Sequence, residues 1–405
     1  MTGLQARHLL PLLLLPMAGC GGGGGVPAPP AAVVRDSAGV RIVENRWSEA
    51  PAPGWRVADR PLFSVGGMSG DPAYEFTAVR GGAVLSDGRV AVMDGALSEL
   101  RIYSPAGVHL RTLGRKGSGP EEFQSPALAG RLPGDTLVVF DSERRWLTLV
   151  HPDGGFGRSF ILGEEAGDFV NALGLLGNEA LAFGGGMFFS SDEGFPQGLT
   201  RPNSTYGTVA LDGSRGMTVG EIPAAEMWAE SGESGFRARL VPFGKVTAAA
   251  AGPTGFFLGT NEAWDIRVFD RRGALVARIR TDRAPAPITG ALQDAYLEEQ
   301  LAEADDDAAR IAVRAELRDI PFPRTLPHYG FIKADAEGCL WVRDPSLPGE
   351  VTPRYAVFAP GGELLGTVSL PARVFPLEIG SDYVLGRVTD ELDVESVALF
   401  SLERP

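Results

Sequence analysis

The sequence predicts an all-β fold: a six-bladed β-propeller of four-stranded antiparallel blades, with a helical insertion between blades four and five. Three observations lead there. ELRIYSPAG, WLTLVHPDG, YGTVALDG, DIRVFDRRG, RYAVFAPGG and SVALFSLER, starting at residues 99, 146, 206, 265, 354 and 396, share one design. Each alternates apolar and polar residues as a half-buried strand does, and all but the last run into a glycine turn. The copies recur at a shortest spacing of 42 to 47 residues, and the chain holds a single clearly helical stretch, at about 288–320. Four-stranded repeats of that length close most naturally into a ring, which leaves only short sheet edges.

Each of those third strands follows another β-rich segment: RVAVMD, TLVVFD, ALAFGG, FFLGTN, CLWVRD and YVLGRV. Turn signals stand before these, such as Ser86-Asp87-Gly88, Pro133-Gly134-Asp135 and Ala336-Glu337-Gly338. The innermost strands crowd at the axis and need small residues, a demand met by AVRGGAVL, ALAGRL, NALGLL and KVTAAAAG. HLRTLG, ARIRT and LLGTVSL supply outer strands. The last copy ends at its third strand, and PLFSVGG at 61–67 matches the missing fourth, so pairing first with last seals the ring.

LGRKGSGPEEFQSPALAG, residues 113 to 130, looks at first like a phosphate cradle, but Lys116 precedes Gly117 and Gly119 where a P-loop needs lysine and a hydroxyl after its last glycine. SVGGMSGDPAYEF at 64–76 occupies the same place one blade earlier and also ends in Glu-Phe, so both stretches read as joints whose Phe76 and Phe123 plug the space between blades. This joint resembles that of the NHL-repeat family, a G-x-G-x-GPxEF-like pattern matched by Gly117, Gly119, Pro120, Glu122 and Phe123. KADAEGCLWVRD and VLGRVTDELDVESVALFSL are similar to the late blades of six-bladed propeller lipoproteins of bacterial envelopes. The resemblance covers nearly the whole mature chain and implies the fold. It leaves function open, since such propellers serve as protein-binding and RNA-binding platforms, hydrolases and lyases.

At the N-terminus, Arg7 and His8 precede an apolar run from Leu9 to Met17 and then Ala18-Gly19-Cys20. The run is too short for a spanning helix, which needs about 20 apolar residues, and reads as an export signal at 1–19. Met17-Ala18-Gly19-Cys20 resembles the lipobox of bacterial lipoproteins, which implies a lipid on Cys20. Glycines 21–25 and VPAPPAA then suit a tether, giving a lipid-anchored flexible linker over 20–38 and the propeller over 39–405. With Cys20 lipidated, Cys339 is the one cysteine left, so no intramolecular disulfide is expected. The formal net charge of −14 argues against a nucleic-acid partner. The expected location is extracytoplasmic, on a bacterial membrane with the outer membrane favoured, and the expected state is monomeric.

In a propeller, connections from fourth to first and second to third strands share one face. The long insertions all fall in that class: 184–205, 220–244, 281–328 and 345–354. Insertions gathered on one face mark a binding face. Their aromatic and apolar residues, among them Met187, Phe188, Phe189, Phe195, Met227, Trp228, Phe236 and Phe243, either pack on one another as a lid or form a partner patch rimmed by Arg201, Arg237 and Arg239. In the helical stretch Leu292, Tyr296, Leu301, Ile311 and Ala315 fall near helical spacing, and Asp307 is a candidate cap. Asp305-Asp306-Asp307 lacks alternating calcium-ligand spacing and reads as a solvated helix end.

The expected function is a binding or assembly module that holds an envelope protein or small ligand on the loop-rich face, with no cofactor. The alternative, from another class, is a calcium-type hydrolase of small lactones or esters in the axial pocket. Its metal candidates are Glu75, Glu122, Asp168 and Asn171; the E-G-P run that such lactonases share near their first ligand is absent, since Pro120-Glu121 reverses it. No catalytic residue is assigned. His328 is the one histidine expected near the axis, and Asp94, Asp141 and Asp344 end second strands at equivalent positions as repeated turn caps.

Overall fold

The computed structural model describes residues 32–49, 54–162, 171–185, 195–212, 214–232 and 235–405. The fold is mostly β and of β-propeller type. Its first sheet runs Val79–Val84, Val90–Asp94, Glu99–Tyr103 and His109–Leu113, each strand antiparallel to the next, and the second runs Pro126–Arg131, Leu137–Asp141, Trp146–Val150 and Phe156–Ile161. The third is Asn171–Leu176, Ala180–Gly185, Asn203–Ala210 and Arg215–Pro223. Ala248–Ala251, Phe256–Gly259, Asp265–Phe269 and Leu275–Thr281 begin the fourth, and Ile332–Ala334, Leu340–Arg343, Arg354–Phe358 and Leu364–Ser369 form the fifth. The sixth takes Val374–Ile379, Tyr383–Thr389 and Glu395–Glu403 from the C-terminus and Phe63–Gly66 from near the N-terminus.

That last pairing is the expected closure: Ser396 faces Gly66, Val397 Val65, Ala398 Ser64 and Leu399 Phe63. The first strands of sheets one to five lie against one another in chain order, and that of sheet six lies against that of sheet one. Sheets five and six meet through Trp341, Tyr355, Val374 and Val384.

Strand periodicity explains the core. All five residues of Val90–Asp94 and of Leu137–Asp141 are buried, because a second strand has a neighbouring sheet on both faces. Successive side chains point to opposite faces, so Val90 and Val92 pack with Phe63, Val65 and Val397 of the sixth sheet, while Ala91 and Met93 pack with Leu137 and Val139 of the second. Each fully buried side chain of this size contributes about 1.5–3 kcal/mol.

The joints use glycine for a stated reason. Gly66 and Gly114 have φ of +111° and +81°, and a Cβ on either would fall 2.9 Å from Phe76 or 2.6 Å from Phe123. Phe76 and Phe123 are buried, in the clusters that join sheet six to one and sheet one to two. Thus the glycine-rich stretch at 113–130 turns the chain over a buried ring.

Three expectations need correction. Strand structure is found within the expected linker, before residue 39: Ala32–Ser37 and Val40–Asn45 form a hairpin, and the second of these runs parallel to Leu275–Thr281, from Arg41 beside Ala277 to Asn45 beside Thr281. Sheet four therefore has six strands. The reason is local, since VVRDSAGVRIVEN carries strand alternation around a turn whose Ala38 and Gly39 both have positive φ. The helical stretch comprises α1 (Gly290–Ala302) and α2 (Asp307–Leu317). Asp306, not Asp307, caps α2, its Oδ1 accepting from the Ala309 amide at 2.7 Å. Ile311 is 68% exposed, so the inward face of α2 is Ala309, Val313 and Leu317 instead.

Candidate functional site: the loop-rich face

The insertions at 184–205 and 220–244 build a small sheet of their own from Gly198–Thr200, Met227–Gly232 and Gly235–Leu240. Its register sorts the side chains. Leu199 pairs with Trp228 and Trp228 with Arg239, while Glu230 pairs with Arg237, so these five share one face. Met227 and Ala229 point the other way and are buried against the body. The outer face therefore presents Leu199, 57% exposed, beside Trp228, whose indole nitrogen donates to Glu230 Oε1 at 3.0 Å. Phe236 lies on the opposite face, stacked on Phe195 with centroids 4.4 Å apart.

Arg201 does not rim an open patch. Its Nε donates to the Ala224 carbonyl and its Nη2 to that of Thr260, while Nη1 pairs with Glu262, so it bolts the small sheet to sheet four. Arg239 reaches Glu316 of α2 at 2.6 Å. Phe243, Tyr296 of α1 and Phe322 form a three-ring cluster with centroids 5.3 to 6.1 Å apart, and Glu299 accepts from the Gly349 amide in the next long loop. The insertions thus brace one another while leaving the Leu199, Trp228 and Arg237 face outward. Met187, Phe188, Phe189 and Cys20 lie outside the described residues.

The metal candidates do not gather. Glu75 Oε1 accepts from the Gly70 amide at 2.7 Å and Glu122 Oε2 from the Gly119 amide at 2.7 Å. Both carboxylates clasp their own joints at equivalent positions, and the Gly119 amide, with Arg115 beside it, holds Glu122 below the usual carboxylate range. Asn171 is exposed at the head of its strand, and Asp168 lies outside the described residues. Among the described residues no three His, Cys, Asp or Glu side chains are disposed to hold a metal ion.

Asp94 accepts from the amides of Thr77, Ala78, Ala96 and Leu97, and Asp141 from those of Gln124, Ser125 and Arg144, which is the expected capping. Asp344 differs. It binds the guanidiniums of Arg283 and Arg354, and in sheet four Asn261 takes the capping place through Val246 at 2.9 Å. His328 lies beside Asn261, to whose carbonyl its amide donates at 3.0 Å, over the upper corner of sheet four.

Sequence reading missed a charged cluster where the inner strands converge. Glu378 accepts from the Val84 amide at 2.7 Å and from the Tyr383 hydroxyl, with Arg131 and Lys333 close enough to favour its charge. Burial nevertheless pushes its carboxyl up, and burial pushes the Lys333 amine down to about 8. The available signal was a charge inside each of three inner strands: Arg131, Lys333 and Glu378. Because the folded pKa of Lys333 is below its ordinary 10.5, the folded state disfavours the charged form. Stability is lowered below about pH 8 and recovers as pH rises toward 10.5. Lys333→Met is therefore expected to stabilise the protein at pH 7 by about 2 kcal/mol, discounting for residual solvent access. Denaturant unfolding of both proteins at pH 7 and above pH 10 checks this; no gain at pH 7, or one that persists at the higher pH, counts against it.

No protein-family model matches the chain, and no curated protein sequence does. Its structural neighbours are β-propeller-like proteins. A member of the DUF4221 family from Bacteroides vulgatus superposes with a TM-score of 0.50 at 11% identity, covering 87% of this chain and 99% of that one. A candidate exported protein from Bacteroides fragilis matches with a TM-score of 0.45 at 10% identity over 90% and 99% of the two chains. A gluconolactonase from Xanthomonas campestris matches at 0.39 and 15% over 88% and 99%. At these identities the likeness is one of fold alone.

Proposed function

We propose that this chain is an extracytoplasmic, lipid-anchored, six-bladed propeller lipoprotein of NHL-like type that binds an envelope protein through its loop-rich face. The observation that carries the reading is the small sheet built wholly from insertions, whose outward face sets Leu199 and Trp228 beside Arg237 and Arg239. An aromatic next to arginines, held on a braced platform, is the composition of an interface centre. Export fits the apolar run from Leu9 to Met17 and the Ala18-Gly19-Cys20 that follows it. The repeats and the sheets they form support the count of six. No observation among the described residues favours the hydrolase reading, since Glu75 and Glu122 are engaged in their own joints.

The test is capture from the native envelope by the full chain and by its Trp228→Ala, Arg237→Ala variant. Loss of an interface aromatic costs about 2 kcal/mol, roughly thirtyfold in affinity. Capture of a defined partner that falls by that order, with an unchanged melting temperature, supports the reading. Undiminished capture by the variant contradicts it.

A further inference from the structure

The hairpin Ala32–Asn45 does more than lengthen sheet four. By continuing past the outer strand it raises a wall beside the sheet's upper edge, and between that wall and the segments at 263–265 and 280–284 lies a cavity of about 880 Å³. It shares no residue with the small aromatic sheet, so its role is independent of the binding face proposed above.

Two features give the cavity a chemistry. Its walls carry Arg35, Arg46, Arg280 and Arg283 against the three carboxylates of Glu44, Asp265 and Asp282, and Arg283 is also paired with Asp344, which does not line the cavity. The arginines are held in place: Arg280 spans Glu44 at 3.3 Å and Asp265 at 3.1 Å, and Arg283 lies over the Trp47 ring, 4.2 Å from its centroid. Among the cavity's residues are also two buried polar atoms without a hydrogen-bond partner, the Trp264 indole nitrogen and His328 Nδ1. Trp264 is 4% exposed, fixed by rings of Tyr329 at 5.0 Å and Phe358 at 5.8 Å. His328 also hydrogen-bonds the Arg283 backbone, and in the tautomer protonated at Nε2 its unpartnered Nδ1 holds a lone pair and accepts. Burial outweighs the Arg283 bond, lowers the basicity of the ring and keeps it neutral.

An orphaned N–H donor and an orphaned acceptor beside an arginine-rich wall are what a ligand with both hydroxyls and a negative group satisfies. A hydroxyl accepts from Trp264 and donates to His328, while the anion meets the guanidiniums. Buried polar groups are rarely left without partners, so two in one cavity mark a place completed by something else. We infer that this cavity binds a small polyhydroxylated anion, a sugar acid or sugar phosphate.

Calorimetric titration of the full chain tests this with glucuronate and glucose 1-phosphate as the two anions, glucose as the uncharged sugar and acetate and inorganic phosphate as anions without a sugar. At least one sugar anion is expected to bind saturably below about 10 mM, at least tenfold more tightly than glucose, acetate or phosphate. Which of the two binds separates carboxylate from phosphate. Trp264→Phe keeps the ring and removes only the N–H, and is expected to weaken that binding about tenfold while the melting temperature is unchanged or higher. His328→Leu, which removes the acceptor, repeats the test should the first variant fold poorly. Silence from both sugar anions, equal binding of glucose, acetate or phosphate, or a folded variant that titrates like the parent overturns the inference.

Discussion

Deletion of residues 61–67 is expected to make the protein aggregate. The segment supplies the fourth strand of sheet six, pairing Phe63–Gly66 with Ser396–Leu399, and its Phe63 and Val65 are 6% and 4% exposed. Losing those two side chains alone costs about 4 kcal/mol, a large share of the 5–15 kcal/mol that hold a typical protein folded. The larger effect is topological. The strand Glu395–Glu403 loses its partner over four residues and presents an unpaired edge, a template for joining another chain. Deletion also uncovers Tyr103 and Val397, which pack on the lost side chains. Size-exclusion chromatography with static light scattering reads the outcome. A deleted chain that elutes as the parent does and melts at the same temperature would refute the closure.

Asp335→Ala is expected to be the most damaging single substitution. The Asp335 side chain is wholly buried, and each of its oxygens has two partners. Oδ1 accepts from the amides of Glu337 and Cys339 at 3.0 and 2.8 Å, and Oδ2 from the Trp341 indole at 3.1 Å and from Arg404 at 3.1 Å. Arg404 in turn donates to the Gly380 and Ser381 carbonyls and lies over Trp55, 4.9 Å from the ring centroid. One carboxylate thus ties the first turn of sheet five to the end of the chain beside sheet six. Its removal leaves two amides, an indole and a guanidinium short of an acceptor, and breaking such a buried pair costs about 3–5 kcal/mol. Asp335→Asn keeps an oxygen for the amides and is expected to cost about half as much. Urea unfolding of the three proteins checks the order; an alanine variant within about 1 kcal/mol of the parent contradicts it.

Much of the fold could be read from the chain because the propeller's rules are local. A second strand such as Val90–Asp94 is a continuous apolar run, and its neighbours alternate. The closing strand was legible for the same reason: Phe63 and Val65 bear the pattern of an outer strand with nothing of its own to pair with. The hairpin at 32–45 was not, although VVRDSAGVRIVEN alternates. The Gly- and Pro-rich run before it suggested that the tether continued, and a parallel partner more than 200 residues away leaves no local mark. In the sites, residue types were legible and their geometry was not. Trp228 and Arg239 stood out, but only the register puts them on one face and Phe236 on the other. Arg131, Lys333 and Glu378 look like solvated strand positions until the closing of the fold brings them together from three sheets. Asp344 seemed to repeat Asp94 and Asp141, yet nearby arginines recruit it to a different task.

The claim that the loop-rich face meets a partner is tested most directly by placing a photo-crosslinking residue at two points of the same molecule in intact envelopes. Arg237 stands on the outward face of the insertion sheet; Asp87 sits in a first-to-second strand turn, at the opposite end of the blade, and its side chain is 51% exposed. The account predicts a discrete adduct of higher mass from position 237 and none from position 87. An adduct from position 87 alone, or equal adducts from both, would contradict it.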